Sequence, residues 1–144
     1  MRLSKRGEYG LRAMIALASE GPDARVQIKE IAEREHIPIK FLEQILLTLK
    51  NAGLLHSKMG IGGGYYLGRP AADITLGQIV RILDGPLAPV NCVSQMAYEP
   101  CGCPDEATCG LRLAMLDVRN AIAEIMDKRS LADVIERAQQ EGRS

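Results

Sequence analysis

The sequence predicts a mainly α-helical fold interrupted by one β-hairpin, and three observations predict it. Three segments with helical apolar spacing fill the first 53 residues, divided by Gly-Pro and Ile-Pro punctuation. Two short β-prone runs then flank the glycine-rich stretch Gly60–Gly64. A helical period finally runs unbroken through residues 110–128. With 144 residues and 47% apolar content, the chain has enough material for one core; a single Phe and no Trp make that core aliphatic.

The first helix is predicted over 4–19, "SKRGEYGLRAMIALAS", with Ser4 as N-cap and Gly21-Pro22 ending it. The second is "VQIKEIAEREH", 26–36, in which Ile28, Ile31 and Ala32 share a face. Pro38 suits the first turn of a third helix, 38–53, because its missing N–H would have no partner there. Leu42, Ile45, Leu46 and Leu49 make the core stripe of that helix, and Lys40, Glu43, Gln44 and Leu47 point away from it. Strands are expected at 54–59 and 65–68, with a flexible glycine tip between them. A fourth helix, 75–85, starts on Thr75 and stops at Gly85. In the long helix 110–128, Leu111, Met115, Val118, Ile122 and Ile125 recur at steps of 4, 3, 4, 3, the seam of a helix that pairs with a partner. A short helix, 130–140, closes the chain.

Three helices followed by a hairpin is the order of a winged helix-turn-helix, in which the third helix enters the major groove and the hairpin tracks an adjacent groove or the backbone. The predicted division is a DNA-binding domain at 1–85, a cysteine-rich loop at 86–110, and a dimerisation helix with a C-terminal helix at 111–144. Gln44 can pair with a base edge, Glu43 can accept from a cytosine amino group, and Lys40 can meet a phosphate. A merely solvated helix face would carry the same three residues; the element order, tight turn and glycine-rich hairpin favour the DNA reading. The candidate DNA-binding residues are Pro38, Lys40, Phe41, Glu43 and Gln44 on the helix and Lys58, Gly62, Gly63 and Tyr65 on the hairpin. Charge is distributed to match: residues 1–70 hold 11 Lys and Arg against 7 Asp and Glu, and residues 71–144 hold 7 against 11. The expected partners are a second copy of the chain and a double-stranded DNA operator with matching dyad symmetry.

All four cysteines, Cys92, Cys101, Cys103 and Cys109, lie in one turn-prone segment, "NCVSQMAYEPCGCPDEATCG". Thiolates select zinc, copper(I) or iron–sulfur clusters, and four of them are the usual complement of [2Fe–2S] and [4Fe–4S] centres. Pro100, Gly102, Pro104 and Gly110 would let the backbone wrap such a group. The spacing C-x8-C-x-C-x5-C does not match the paired C-x2-C units of zinc ribbons, although spacing alone does not exclude zinc. A thiol–disulfide switch needs only two reactive cysteines. The N-terminus lacks the apolar run of a secretory signal and no stretch reaches the roughly 18 apolar residues of a membrane span, so a cytoplasmic protein with reduced thiols is expected. No G-x-S-x-G elbow, H-E-x-x-H or P-loop is present, and Gly60–Gly64 has no following Lys-Ser/Thr, so the expectation is not an enzyme.

"LSKRGEYGLRAMIALA", "IKEIAEREHIPIKFLEQIL", "LKNAGLL", "GGGYYLGRP", "ITLGQIVRILDGP" and "LADV" resemble, in order and over nearly the whole chain, the IscR/NsrR-type bacterial regulators of the Rrf2 superfamily. The resemblance implies a dimeric winged-helix transcription factor, often with an iron–sulfur cluster held in the loop before its dimerisation helix. Cluster-binding members usually use three cysteines and one further ligand. Cys103 and Cys109 keep their spacing, but the gap from Cys92 is longer and Cys101 is additional. Two ligand sets follow: all four cysteines, or three of them with Glu8, since some members use an acidic residue at that place in the first helix. Members also often carry an Arg where Met59 stands, which leaves Lys58 as the nearest wing cation and implies a different preferred DNA sequence.

Overall fold

A computed structural model of the chain describes residues 3–88, 93–94, 98–100 and 106–142. Helices α1 (Lys5–Ser19), α2 (Ile28–Glu35) and α3 (Ile39–Asn51) are followed by an antiparallel hairpin of β1 (Leu55–Lys58) and β2 (Gly64–Leu67). Then come α4 (Leu76–Asp84), α5 (Gly110–Lys128) and α6 (Leu131–Gly142), with 3-10 turns at Ala71–Asp73 and Glu106–Thr108. The fold is mainly helical with one small sheet, as the element pattern predicts.

The central helix is α1, which packs against α2, α3, α4 and α6 and touches β2. Its Met14 and Leu17 meet the α3 stripe of Leu42, Ile45, Leu46 and Leu49, and all six side chains are closed off from water. Each such burial is worth about 1.5–3 kcal/mol relative to exposure. Ser4 caps α1 by accepting the Gly7 N–H at 3.0 Å. Ser4 also donates its hydroxyl and its backbone N–H to the Asp84 carboxylate, so the start of α1 is fastened to the end of α4.

Most expected boundaries shift by a residue or two, and two of the shifts have a clear physical cause. Val26 does not begin α2; it exchanges both backbone hydrogen bonds with Tyr65, at 2.9 and 2.8 Å, and so joins the edge of the hairpin. A β-branched residue next to an unpaired strand edge gains a partner there for its N–H, which a first helical turn would leave unmade. Pro38 is the N-cap of α3 rather than a residue of its first turn, and its carbonyl accepts the Leu42 N–H at 2.9 Å. The turn between these helices passes through His36, whose φ of 54° is left-handed, a conformation found at helix C-termini.

The C-terminal helices are tied to the front of the chain. Thr75 and Gln78 form a reciprocal capping box on α4. Ser130 and Asp133 do the same for α6 at 3.0 and 3.1 Å. Backbone bonds from Leu76 to Arg129 and from Leu131 to Ile74 join the two caps, and Leu131 is fully buried. Arg81 of α4 holds Asp127 of α5 with two guanidinium hydrogen bonds, one of them 2.8 Å long.

The Arg81 hydrogen bonds hold the Asp127 carboxyl below its ordinary value of 3.8. Bonds from the Ser130 backbone N–H and then its hydroxyl do the same for Asp133. Between those folded values and about 3.9 the unfolded chain binds more protons, so both groups contribute stability that is complete above that range. It is lost as the pH falls through the folded values. Asp127→Asn is expected to cost under about 1 kcal/mol near neutrality, since the pair is partly exposed. Urea titrations should show the gap between variant and parent closing as the solution is acidified below about pH 4. A gap independent of pH would remove the ion pair from the stability of the α4–α5 junction.

Candidate nucleic-acid interface and cysteine segment

Burial of the α3 stripe turns the opposite side of that helix to solvent. Lys40, Phe41, Glu43 and Gln44 are all exposed, as are Ile39 and Leu47. Pro38 is exposed at the N-terminal end of the same helix. The face therefore offers an amide able to pair with adenine, a carboxylate, a cation, and apolar groups suited to a thymine methyl. Its N-terminal end is backed by α1. The Tyr9 ring stands edge-on to Phe41 at 5.6 Å between centroids, with Lys5 and Arg12 each 5.7 Å from the Tyr9 centroid. Arg12 also donates to the Glu35 backbone carbonyl at the end of α2 and lies 3.5 Å from the Glu35 carboxylate. Tyr9 and Arg12 hold the entry to α3 in place. The sequence reading missed both, because a single aromatic and a single cation on a helix face carry no periodic signal.

The hairpin is mounted rigidly beside this helix. The register pairs Leu55 with Leu67 and Lys58 with Gly64, leaving 59–63 as the connection. Gln27, the N-cap residue of α2, donates its side-chain amide to the Gly63 carbonyl at 2.8 Å. Gly63 is buried and Tyr65 packs in part on the core, so these two shape the hairpin from within, whereas Lys58 and Gly62 are exposed. Gly64 has a φ of 139°, and a Cβ there would lie 2.7 Å from the Val26 backbone. Arg25, exposed and 5.6 Å from the Tyr66 ring, adds a cation beside the hairpin.

Of the cysteines, Cys109 lies within the described residues; Cys92, Cys101 and Cys103 lie outside them. Cys109 is the N-cap of α5, half-buried, with its sulfur accepting the Arg112 N–H at 3.5 Å. A helix N-terminus favours negative charge, and the thiolate is the form of cysteine that ligates metals and attacks disulfides. Glu8 sits on α1, with its carboxylate 3.8 Å from Lys5 and 3.9 Å from Arg12. It lines a cleft of about 830 Å³ between the start of α1 and the end of α4, together with Ser4, Leu83, Asp84 and Pro86. Among the described residues no three His, Cys, Asp or Glu side chains gather as a metal site.

Helix α5 has no buried residue along its 19 positions. Leu111, Val118 and Ile125 of the predicted seam are 66%, 41% and 56% exposed, and Met115 and Ile122 are half-buried. No described helix is long and apolar enough to cross a membrane.

Residues 3–137 match the family model described as Rrf2, iron-dependent transcriptional regulator. The chain belongs to the Rrf2 family. An Rrf2-like transcriptional regulator of Rhodobacter capsulatus is 38% identical over 138 residues, covering 92% of this chain and 91% of that protein. The structure of CymR, described as the global cysteine regulator of B. subtilis, superposes with a TM-score of 0.79 at 34% identity, covering 94% of this chain and 97% of the other. IscR from T. potens gives 0.78 at 30% identity, covering 98% and 90%. This Rrf2-family chain is thus a transcriptional regulator of a DNA-binding family and not an enzyme, and its fold is the winged helix-turn-helix of those relatives.

Gly64→Ala is expected to cost about 1–3 kcal/mol, because the residue combines a left-handed backbone with contact against Val26. Gln27→Ala should cost about 1 kcal/mol by removing one hydrogen bond. Chemical denaturation measures both, and a Gly64→Ala midpoint equal to that of the parent would contradict the close approach of the hairpin to the Val26 backbone.

Proposed function

We propose that this chain is a homodimeric, cytoplasmic regulator whose operator affinity is set by the state of its cysteine segment. The group we assign to that segment is an iron–sulfur cluster, [2Fe–2S] or [4Fe–4S]. The observation that carries the reading is the confinement of all four cysteines to residues 92–109, in a family described as iron-dependent, with the last of them seated at the N-terminus of α5. The donor set fits the group: four soft sulfur ligands in a turn-rich stretch are what iron–sulfur centres use. Cys92, Cys101, Cys103 and Cys109 form the preferred ligand set, with three cysteines and Glu8 as the alternative. Such a cluster would supply a centre that iron supply or oxidants can assemble, oxidise or remove.

The chain's own residues would do the rest. The exposed seam of Leu111, Met115, Val118, Ile122 and Ile125 would pair two copies and make the operator two-fold symmetric. Lys40 and Lys58 would contact phosphates, Glu43 and Gln44 would read base edges, Pro38 and Phe41 would add apolar contacts, and Gly62 would bring the backbone close, with Gly63 and Tyr65 supporting the wing. The working division is residues 1–85 for DNA, 86–110 for the signal and 111–144 chiefly for dimerisation. Because the segment joins α4 to α5, reordering it would change how the two DNA-reading helices are spaced, and about 1–3 kcal/mol of coupling is ordinary for such devices. Likeness to CymR, a cysteine regulator, favours a second reading: a thiol–disulfide or zinc-dependent regulator without a cluster.

Protein purified without air should show visible absorption bands with iron and sulfide in equal amounts. Cys109→Ala should lose the colour while sedimenting as the same folded dimer. A colourless parent with one zinc per chain, or one whose DNA affinity follows disulfide formation alone, would replace the cluster by the second reading.

A further inference from the structure

At the end of the hairpin, Met59 is 93% and Ile61 107% exposed, the two most exposed of the large apolar side chains described. Ile61 and Gly62 are the central residues of a turn closed by the Gly63 N–H on the Gly60 carbonyl at 3.0 Å. Gly60 and Gly62, at φ 92° and 75°, leave open space where a Cβ would stand. The result is a thin backbone loop that carries two apolar prongs and little else. Exposing both in water has no benefit for folding, and nothing within the described chain covers them.

We propose that this tip is a minor-groove wedge: Ile61, with Met59 beside it, enters the minor groove next to the α3 half-site and partly unstacks a base step there. This rests on the DNA-binding reading above. Four observations favour DNA over a protein partner. From Gln44 to Ala72 the sequence has no Asp or Glu, so α3's outer half and the whole hairpin present only neutral and cationic groups to a polyanion. The bare glycines keep the tip slim enough for a groove about 6 Å wide. The tip is held by the Gln27 bond to Gly63 and the Val26–Tyr65 bridge, so insertion force is borne by the segment that leads into α2 rather than lost in hairpin motion. Strand β1 packs against α3, so the hairpin stands beside the DNA-reading helix. Isoleucine and methionine are among the side chains that proteins insert between base steps, and steps of the pyrimidine–purine type unstack most easily. The inferred consequence is a specificity determinant that no hydrogen bond reads: preference for TA or CA/TG steps at a set distance from the bases contacted by Gln44.

The test is selection from a library of random duplexes at one fixed salt concentration, by the full-length parent and by the Met59→Ser, Ile61→Ser double variant. Both side chains are exposed, so the variant should fold as the parent does, which circular dichroism verifies. The parent should enrich a flexible step flanking each half-site; the variant should keep the half-site and lose that step, binding the parent's duplex about ten-fold more weakly. Its salt dependence should not change, because no charge is removed, whereas Lys58→Ala should lower the slope by about 1. With 2-aminopurine placed at the flanking step, fluorescence should rise on binding the parent and stay flat with the variant. Equal enrichment and equal fluorescence for the two proteins would overturn the wedge and leave the tip to a protein partner. If the parent selects no sequence at all, the DNA-binding reading itself fails, an outcome distinct from the first.

Discussion

Leu42, Ile45, Leu46 and Leu49 lie along one side of α3, and the packing of α1, α2, α4 and β1 around that helix shuts all four away from water. That burial leaves the helix one orientation, because rolling it would exchange aliphatic side chains for Lys40, Glu43 and Gln44 at a cost of several kcal/mol. The polar face is therefore presented as a consequence of packing rather than by its own interactions. Ile39, Phe41 and Leu47 stand on the same outward face and give it an apolar component.

The other features of the front half keep that face in register with its surroundings. Tyr9 and Arg12 brace the entry to α3, while the Val26 bridge and the Gln27 bond hold the hairpin to α2. Helix and wing are in this way parts of one solid body. Their relative position is carried by a few directional bonds laid over a core that tolerates little movement.

Beyond this body the chain continues into its longest helix. Helix α5 rises from Cys109 and is clamped near its far end by Asp127 to Arg81 of α4. At 1.5 Å per residue those points are about 27 Å apart. No residue of the helix between them is fully buried among the described residues, and Leu111, Val118 and Ile125 leave an exposed apolar side along it. Membership of the Rrf2 family, with relatives described as IscR and as a cysteine regulator, is consistent with one scaffold serving different signals.

How much of this is legible without coordinates can be judged element by element. The aliphatic stripe of α3, the Ser4 and Thr75 caps, the hairpin around Gly60–Gly64 and the unbroken run of α5 are properties of local spacing, and local spacing is written in the sequence. Val26 was legible only as part of a helix, because its true partner, Tyr65, is 39 positions further on. The same holds for Gln27 with Gly63, Arg12 with Glu35 and Arg81 with Asp127, none of which leaves a periodic trace. The cysteines could be read as a ligand set from their number and clustering, but composition does not say which atoms converge. The sequence by itself determined the elements and the chemistry they carry, since helix and turn formation depend on neighbours. Only the tertiary structure decided which side chains face outward and what braces them, because contacts between distant residues are chosen by the packing of the whole chain.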